Sequence, residues 1–267
     1  MKKCIPSSPL ILLLGALSLL PLTVRSQAYI VAPGGNRVDV ERILVRPDGS
    51  LVVTIQGQPR DVAKDQYLQA VGIKPPEIDQ AQELINQGKS EEAAEILKGV
   101  VQSSRFQSWD AFAGEKLAAI ELKKGNALEA KRIVDSLERR YGDNMTTFFP
   151  FLEKVLWDVK IQSGDTAGLE EQLTQIIEGD SPLSRKSRAL IARGDVKAGR
   201  REFEPALLDY LRANYFYGEI PEVQAEALFK SASMFAKIGD TGRLRKYSAL
   251  LKEKYPDSEY ASQEIGG

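Results

Sequence analysis

The sequence predicts a mainly α protein, in which about five helical hairpins form an α-α superhelical solenoid preceded by a small N-terminal β-hairpin unit. Three observations lead to this fold class. Gly-Asn or Gly-Asp turns recur between helix-forming segments, the apolar residues after each turn have helical spacing, and the pattern repeats at a nearly constant interval. The 267 residues suffice for one large or two small domains.

Two absences in the composition limit the possible chemistry. The chain has no histidine, and its only cysteine is Cys4. This excludes Ser-His-Asp and Cys-His pairs and metal sites built from thiolate or imidazole, whereas carboxylate chemistry and all-oxygen metal sites remain possible. The net charge of −1 offers no positive excess for nucleic acid. We therefore expect no cofactor and no nucleic-acid partner.

Residues 1–28 have the pattern of a bacterial secretory signal peptide. Two lysines precede an apolar run of 13 residues from Leu10 to Leu22, which is too short for a comfortable membrane span. Small residues follow, and we expect cleavage after Ser26 or Ala28. The mature protein is therefore expected in the periplasm. The alternative is an uncleaved N-terminal anchor, which would be its only contact with the membrane.

A small β-rich unit is predicted for residues 29–75. Two segments rich in β-branched residues, Val38 to Arg46 and Leu51 to Gln56, flank a Pro-Asp-Gly turn and predict a β-hairpin. A short helix is expected from Val62 to Val71. Because a lone hairpin is marginally stable in water, it is expected to cap the helical region. Docking or dimerisation by β-augmentation is the alternative.

Residues 76–261 are predicted to be helical, and residues 262–267 form a tail. From Glu121 to Val134, a Gly-Asn pair separates two helix-forming stretches, since glycine permits the left-handed conformation that ends a helix. An apolar stripe with helical spacing follows this turn and four others, at intervals of 37, 39, 37 and 38 residues. Such a period is typical of a helical-hairpin array. The stripes begin at Ala93, Ala130, Leu169, Ala206 and Leu244.

The fourth turn has two candidate positions. Arg193-Gly194-Asp195 has a turn-like pattern, but a turn there would break the period and place Pro205 inside a helix, at a cost of about 3 kcal/mol. A turn near Gly199 to Glu202 keeps the interval and places Pro205 in a first helical turn, where proline is tolerated. We therefore predict the later turn, and a helix interior rather than an adhesion motif at the Arg-Gly-Asp tripeptide.

Residues 76–261 resemble the tetratricopeptide repeat family, in particular its exported bacterial members in outer-membrane assembly and cell-division coordination. Twelve residues before each stripe stand Ala81, Ala118, Trp157, Gly194 and Ala232, four of them small. The best match is the last hairpin, with Ala232, the Gly239-Asp240 turn, Leu244, Leu251 and Pro256. The period is longer than the family's 34 residues, and Trp157 occupies a small-residue position. The third hairpin therefore departs most, and a HEAT-type solenoid is the alternative fold.

The resemblance implies a groove that is lined by the first helix of each hairpin and binds peptides or protein segments. The corresponding positions carry charged and aromatic side chains, which suits an extended protein ligand better than a phosphate-rich one. A merely solvated helix face is the alternative interpretation. These candidate partner-binding residues are Phe112, Glu115, Phe151, Lys154, Asp158, Arg188, Asp195, Glu226 and Phe229.

Three functions follow from these patterns. The resemblance favours a non-enzymatic periplasmic scaffold of the cell envelope that binds an envelope protein or peptide segment. The second is a structural subunit of an envelope complex, anchored by the N-terminal hairpin. The third is a carboxylate-dependent glycan hydrolase, which needs an acid–base pair in a cleft. The pairs Glu91-Glu92 and Glu170-Glu171 do not supply one, because neighbouring side chains on a helix point in different directions.

Overall fold

The computed structural model describes residues 28–142, 145–217 and 220–265, and this part of the chain is mainly helical. Its eleven α-helices follow six short strands, which form two small antiparallel sheets at the N-terminal end. The mainly α fold with an N-terminal β unit is thereby confirmed. The predicted signal peptide lies outside the described residues, apart from Ala28, which begins the first strand.

The N-terminal unit consists of two three-stranded sheets with a common core. The strands are β1 (Ala28–Val31), β2 (Arg37–Val40), β3 (Arg42–Val45), β4 (Leu51–Ile55), β5 (Gln58–Val62) and β6 (Gln69–Val71). One sheet has the order β2-β1-β6 and the other β3-β4-β5, with all neighbours antiparallel. Apolar side chains of both sheets, including Ile30, Val40, Leu51 and Val53, pack together.

The predicted β-hairpin is confirmed, because β3 pairs with β4 across the Pro-Asp-Gly turn, where Gly49 has a φ of 86°. The first predicted strand is divided, however: residues 38–40 belong to β2, and the chain leaves that sheet at Glu41 before β3 begins. One β-branched stretch therefore supplies a strand to each sheet.

The helix predicted for residues 62–71 is wrong. The chain forms the end of β5, a single 3₁₀ turn over Lys64–Gln66, and then β6. β6 pairs with the distant strand β1, and the Tyr67 hydroxyl donates a hydrogen bond to the Gly49 carbonyl oxygen at 2.6 Å. These tertiary contacts override the local sequence pattern.

The helices follow one another in pairs. They are α1 (Pro76–Asn86), α2 (Ser90–Ser103), α3 (Trp109–Lys123), α4 (Ala127–Tyr141), α5 (Met145–Phe148), α6 (Leu152–Ser163), α7 (Leu169–Glu178), α8 (Leu183–Gly199), α9 (Phe203–Phe216), α10 (Pro221–Lys237) and α11 (Thr241–Lys254). Apart from the one-turn helix α5, short turns join α1 to α2, α3 to α4, α6 to α7, α8 to α9 and α10 to α11. We call α1, α3, α6, α8 and α10 the first helices of these pairs.

Four of the five turns share one hydrogen-bonded motif. The second residue after each of these helices has a positive φ. The N–H of the following residue donates a hydrogen bond to the carbonyl oxygen five residues before it. In the fourth turn the Glu202 N–H bonds the Lys197 oxygen at 3.0 Å, which confirms the predicted turn at 199–202. The residues with positive φ, between 64° and 79°, are Gly88, Gly125, Arg201 and Gly239.

The fourth pair also explains the Arg-Gly-Asp tripeptide, which lies inside α8 as predicted. A Cβ atom added to Gly194 would lie 2.4 Å from Cε1 of the buried Tyr210 on α9. The two helices therefore cross too closely for a larger residue, and glycine is required at this position.

The third pair differs from the others. Its turn is longer, from Gly164 to Gly168, and both of these glycines have a positive φ. The Trp157 side chain is buried against Leu173 and Ile176 of α7, and α6 and α7 approach each other less closely than the helices of the other pairs. A large side chain at the crossing position thus separates the two helices.

The apolar stripes lie mostly in the core. Leu244 is only partly buried, and Tyr247 and Leu251 fill the core of the last pair instead. The residues that begin the other four stripes are at most 2% exposed, and they are Ala93, Ala130, Leu169 and Ala206.

The β unit is attached to the connection between α2 and α3. The Ser108 hydroxyl donates a hydrogen bond to the Ala70 carbonyl oxygen at 2.6 Å, and Trp109 Nε1 donates one to the Gly72 oxygen at 2.8 Å. The β unit therefore packs against the early helices, as expected of a cap.

Candidate functional site

A cavity of about 1070 Å³ lies where the first helices converge. Each of the five first helices contributes a lining side chain, and these are Asn86, Glu115, Lys154, Arg188 and Glu226. The remaining wall includes Lys254, at the end of α11, and the next six residues of the chain. The cavity is thus bounded by all five pairs and closed on one side by the residues that follow the last helix.

The structure brings the nine predicted partner-binding residues together around this cavity. Five of them line it: Glu115, Phe151, Lys154, Arg188 and Glu226. Asp158 and Asp195 line a small adjoining cavity together with Lys154, Arg188 and Glu226. The two others touch aromatic residues of the wall, with ring centroids 5.9 Å apart for Phe112 and Phe151, and 5.6 Å apart for Phe229 and Tyr260.

An ionic network spans α6, α8 and α10 at the base of this site. Lys154 Nζ lies 2.8 Å from a carboxylate oxygen of Asp158 and 4.0 Å from one of Glu226. Lys230 Nζ lies 2.7 Å from Asp195 and 3.7 Å from Glu226. The two lysines therefore share the carboxylate of Glu226, which fixes the relative positions of three first helices.

Two members of this network are not among the residues predicted from the sequence. Lys230 lies four residues after Glu226 on α10, and the Tyr210 hydroxyl donates a hydrogen bond to Asp195 at 2.7 Å. The spacing of Glu226 and Lys230 is a helical ion-pair signal. The reach of Tyr210 across to α8 has no such signal, because it depends on the close crossing at Gly194.

Burial raises the pKa of two carboxyl groups in the cavity above the usual value of 4.5. For Glu226, burial outweighs the opposing effect of Lys230 and Lys154. For Glu115, it outweighs the effect of Lys116, whose ammonium lies 3.2 Å away. Burial lowers the pKa of Lys154, but Asp158 and Glu226 raise it further, so that its net shift is upward. The lysine stays charged, while the two acids take up protons more readily than exposed ones.

Two side chains of the cavity remain available to a ligand. Arg188 is exposed, and among the side chains that the structure describes, which exclude those of residues 221 and 222, no carboxylate lies within 4 Å of its guanidinium. Phe151 is 41% exposed and presents an aromatic face that is backed by Phe112 and Phe149. The site therefore offers a cation and an apolar surface side by side.

The acidic pairs considered for catalysis lie elsewhere. Glu91 pairs with Lys124 at 2.7 Å, and Glu170 pairs with Arg200 at 2.6 Å. Neither pair lines the cavity. Within the described ranges, no cluster of three or more potential metal ligands occurs, and no helix is long and apolar enough to cross a membrane.

Comparison of the chain with family models, with curated proteins and with solved structures finds no match.

Proposed function

We propose that the chain is a non-enzymatic protein–protein interaction scaffold of the bacterial cell envelope, and that its helical region is a solenoid of the tetratricopeptide type. One observation carries the proposal: a single cavity draws a lining residue from the first helix of every pair. In a solenoid, this is the face that neighbouring repeats leave free for a partner.

The chemistry of the cavity favours a protein segment as the ligand. Its volume of about 1070 Å³ is at or above the upper end of ordinary small-molecule pockets. Arg188 offers a charge-assisted hydrogen bond to a carboxylate, and Phe151 offers an aromatic surface, whereas Lys154 is already paired with Asp158. This mixture suits side chains of both kinds on one peptide.

The periplasm is the proposed location because of the signal-peptide pattern in residues 1–28. Ala28 is 2% exposed and pairs with Val40 in the first sheet. Of the two expected cleavage positions, the one after Ser26 retains this strand residue. We therefore propose cleavage after Ser26.

A pull-down from envelope extracts of the source cells tests the proposal. The double variant Lys154→Glu/Arg188→Glu reverses two charges of the cavity and is expected to lose the captured protein. The matched control Lys246→Glu/Lys252→Glu reverses two exposed charges on α11 and is expected to retain it. Unchanged capture by the cavity variant would show that the partner does not bind in this cavity.

A structural subunit anchored by the β unit is the second candidate, and an exposed strand favours it. Leu44 on β3 is 47% exposed and lines a cleft of about 400 Å³ between β3 and the end of α2. Under this alternative, Leu44→Arg would abolish assembly into an envelope complex while the cavity still bound its partner. Retained assembly would exclude this role for β3.

Glycan hydrolysis is the third candidate, because Glu115 and Glu226 line one cavity and both have a raised pKa. Glu226 already interacts with two lysines, however, and this suits a structural ion network better than a general acid. Release of soluble fragments from purified peptidoglycan, if lost in Glu226→Gln, would replace the scaffold proposal with this one.

A further inference from the structure

The residues after α11 form a wall of the cavity. Residues 255–260, which we call the C-terminal segment, are not helical but fold through successive turns. All six line the cavity, together with Lys254. The site of the proposed function is therefore partly covered by the chain itself.

Two contacts hold the C-terminal segment against the first helices. Glu259 pairs with Lys123, at the end of α3, with 2.7 Å between the charged atoms. This ion pair joins residues 136 positions apart and connects the last helix pair to the second. The Tyr260 ring packs against Phe229 of α10, with ring centroids 5.6 Å apart. Both contacts thus fix the segment to helices that bound the cavity.

The ion pair is weak enough to exchange. The side chains of Lys123 and Glu259 are 72% and 56% exposed, and an ion pair between such groups is screened by water and salt. Beyond the segment, Ala261 and Ile265 pack on the core of the last helices. Tyr255 and Tyr260 also pack on this core, but both are only partly buried. A competing aromatic side chain can therefore replace the Tyr260 ring on Phe229, while Ala261 and Ile265 keep the chain attached to the helical region.

The geometry points to the C-terminal segment as a displaceable occupant of the cavity, and to a partner segment that carries an acidic residue next to an aromatic one. The inference rests on the proposed function of the cavity. Glu259-Tyr260 is such a pair, with its carboxylate on a cation and its ring on an aromatic groove residue. Arg188 and Phe151 offer a second cation and a second ring in the same cavity. A partner of this chemistry replaces the segment and gains contacts that the segment does not make.

A binding measurement with a peptide of the chain's own sequence tests this inference. The probe is a fluorescein-labelled peptide of residues 255–265, measured by anisotropy against the full mature chain. Glu259→Gln breaks the ion pair, leaves Lys123 for the peptide, and is expected to tighten binding about two- to fivefold. Tyr260→Ala keeps the ion pair but removes the aromatic contact with Phe229, and is expected to tighten binding about tenfold. The matched control Glu264→Gln changes an exposed acid outside the cavity and is expected to have no effect.

A cross-link provides a test that keeps the segment in place. In Lys123→Cys/Glu259→Cys, a short bismaleimide joins the two positions and is expected to abolish peptide binding, whereas the unlinked variant binds. Equal affinity with and without the cross-link would overturn the inference, as would equal affinity of the wild type and both segment variants. Absence of peptide binding to every variant would also overturn it. If the peptide binds no variant but capture of the envelope protein still depends on Lys154 and Arg188, the inference is wrong and the proposed function is retained.

Discussion

The fourth turn contains a backbone conformation that is unfavourable for its residue. At the position where three other turns have glycine, Arg201 adopts a φ of 64°. An L-residue in the left-handed region costs about 1–2 kcal/mol, because its Cβ approaches the following carbonyl oxygen. Arg201 is exposed, and its side chain makes no ion pair or hydrogen bond with the described residues. Its replacement by glycine therefore removes the conformational cost without losing a contact.

Arg201→Gly should stabilise the protein. Removing the Cβ atom relieves about 1–2 kcal/mol of backbone strain in the folded state. Glycine also gives the unfolded chain more conformational freedom, which lowers the free energy of unfolding by about 0.4–1 kcal/mol. We expect a net gain of about 0.5–1 kcal/mol, which corresponds to a rise in melting temperature of about 1–4 °C for a chain of this size. Urea unfolding followed by circular dichroism, and a thermal melt, measure both quantities.

Two comparisons isolate the backbone effect. Arg201→Ala removes the same side chain but keeps a Cβ atom, and it should leave the unfolding midpoint nearly unchanged. Gly125→Ala is the reverse change in an equivalent turn. Its new Cβ would meet no atom within 4 Å, so the effect is conformational alone, and the same offset leaves an expected net loss of about 0.5–1 kcal/mol. A midpoint for Arg201→Gly that is equal to or below that of the wild type would show that the positive φ of Arg201 carries no conformational cost.

Three further predictions concern the packing and the charges. Gly194→Ala should destabilise the protein by about 1–3 kcal/mol, because its Cβ would overlap a buried tyrosine, whereas Gly199→Ala in the same helix meets no atom and should be stabilising in chemical denaturation. Asp209→Asn should cost about 3–5 kcal/mol in the same assay, because a fully buried carboxylate would no longer neutralise the buried Arg193 guanidinium at 2.7 Å; a loss below 1 kcal/mol would contradict this account. Binding of an acidic segment should strengthen as the pH falls through the raised pKa values of Glu226 and Glu115, since protonation removes negative charge from the cavity, and Glu226→Gln should reduce this pH dependence in calorimetric titrations.

The sequence predicted the parts of the fold that depend on local spacing. The turn at 199–202 was predicted from the repeat period and from the fact that proline is not tolerated in a helix interior, which excludes an earlier turn before Pro205. The structure has the turn at this position. The burial of Ala93 and Ala130 follows from helical periodicity in the same way. These features need only neighbouring residues, which are visible in a single sequence.

The features that the sequence did not predict depend on distant contacts. Strand β6 forms because it pairs with β1, and local propensity carries no information on this pairing. The cavity residues on first helices were predicted by resemblance, but Lys230 was not. The contact of the C-terminal segment with Lys123 requires the helices to bring the last pair near the second.

Site-specific photo-cross-linking shows whether a partner binds in the cavity. A photoreactive phenylalanine analogue replaces Phe151, which lines the cavity, or Leu128, which is 73% exposed on the second helix of its pair. After irradiation in envelope extracts of the source cells, position 151 should give a discrete cross-linked protein that excess unlabelled partner segment removes, and position 128 should give none. A specific cross-link from position 128 with none from position 151 would contradict the assignment of the cavity as the ligand site.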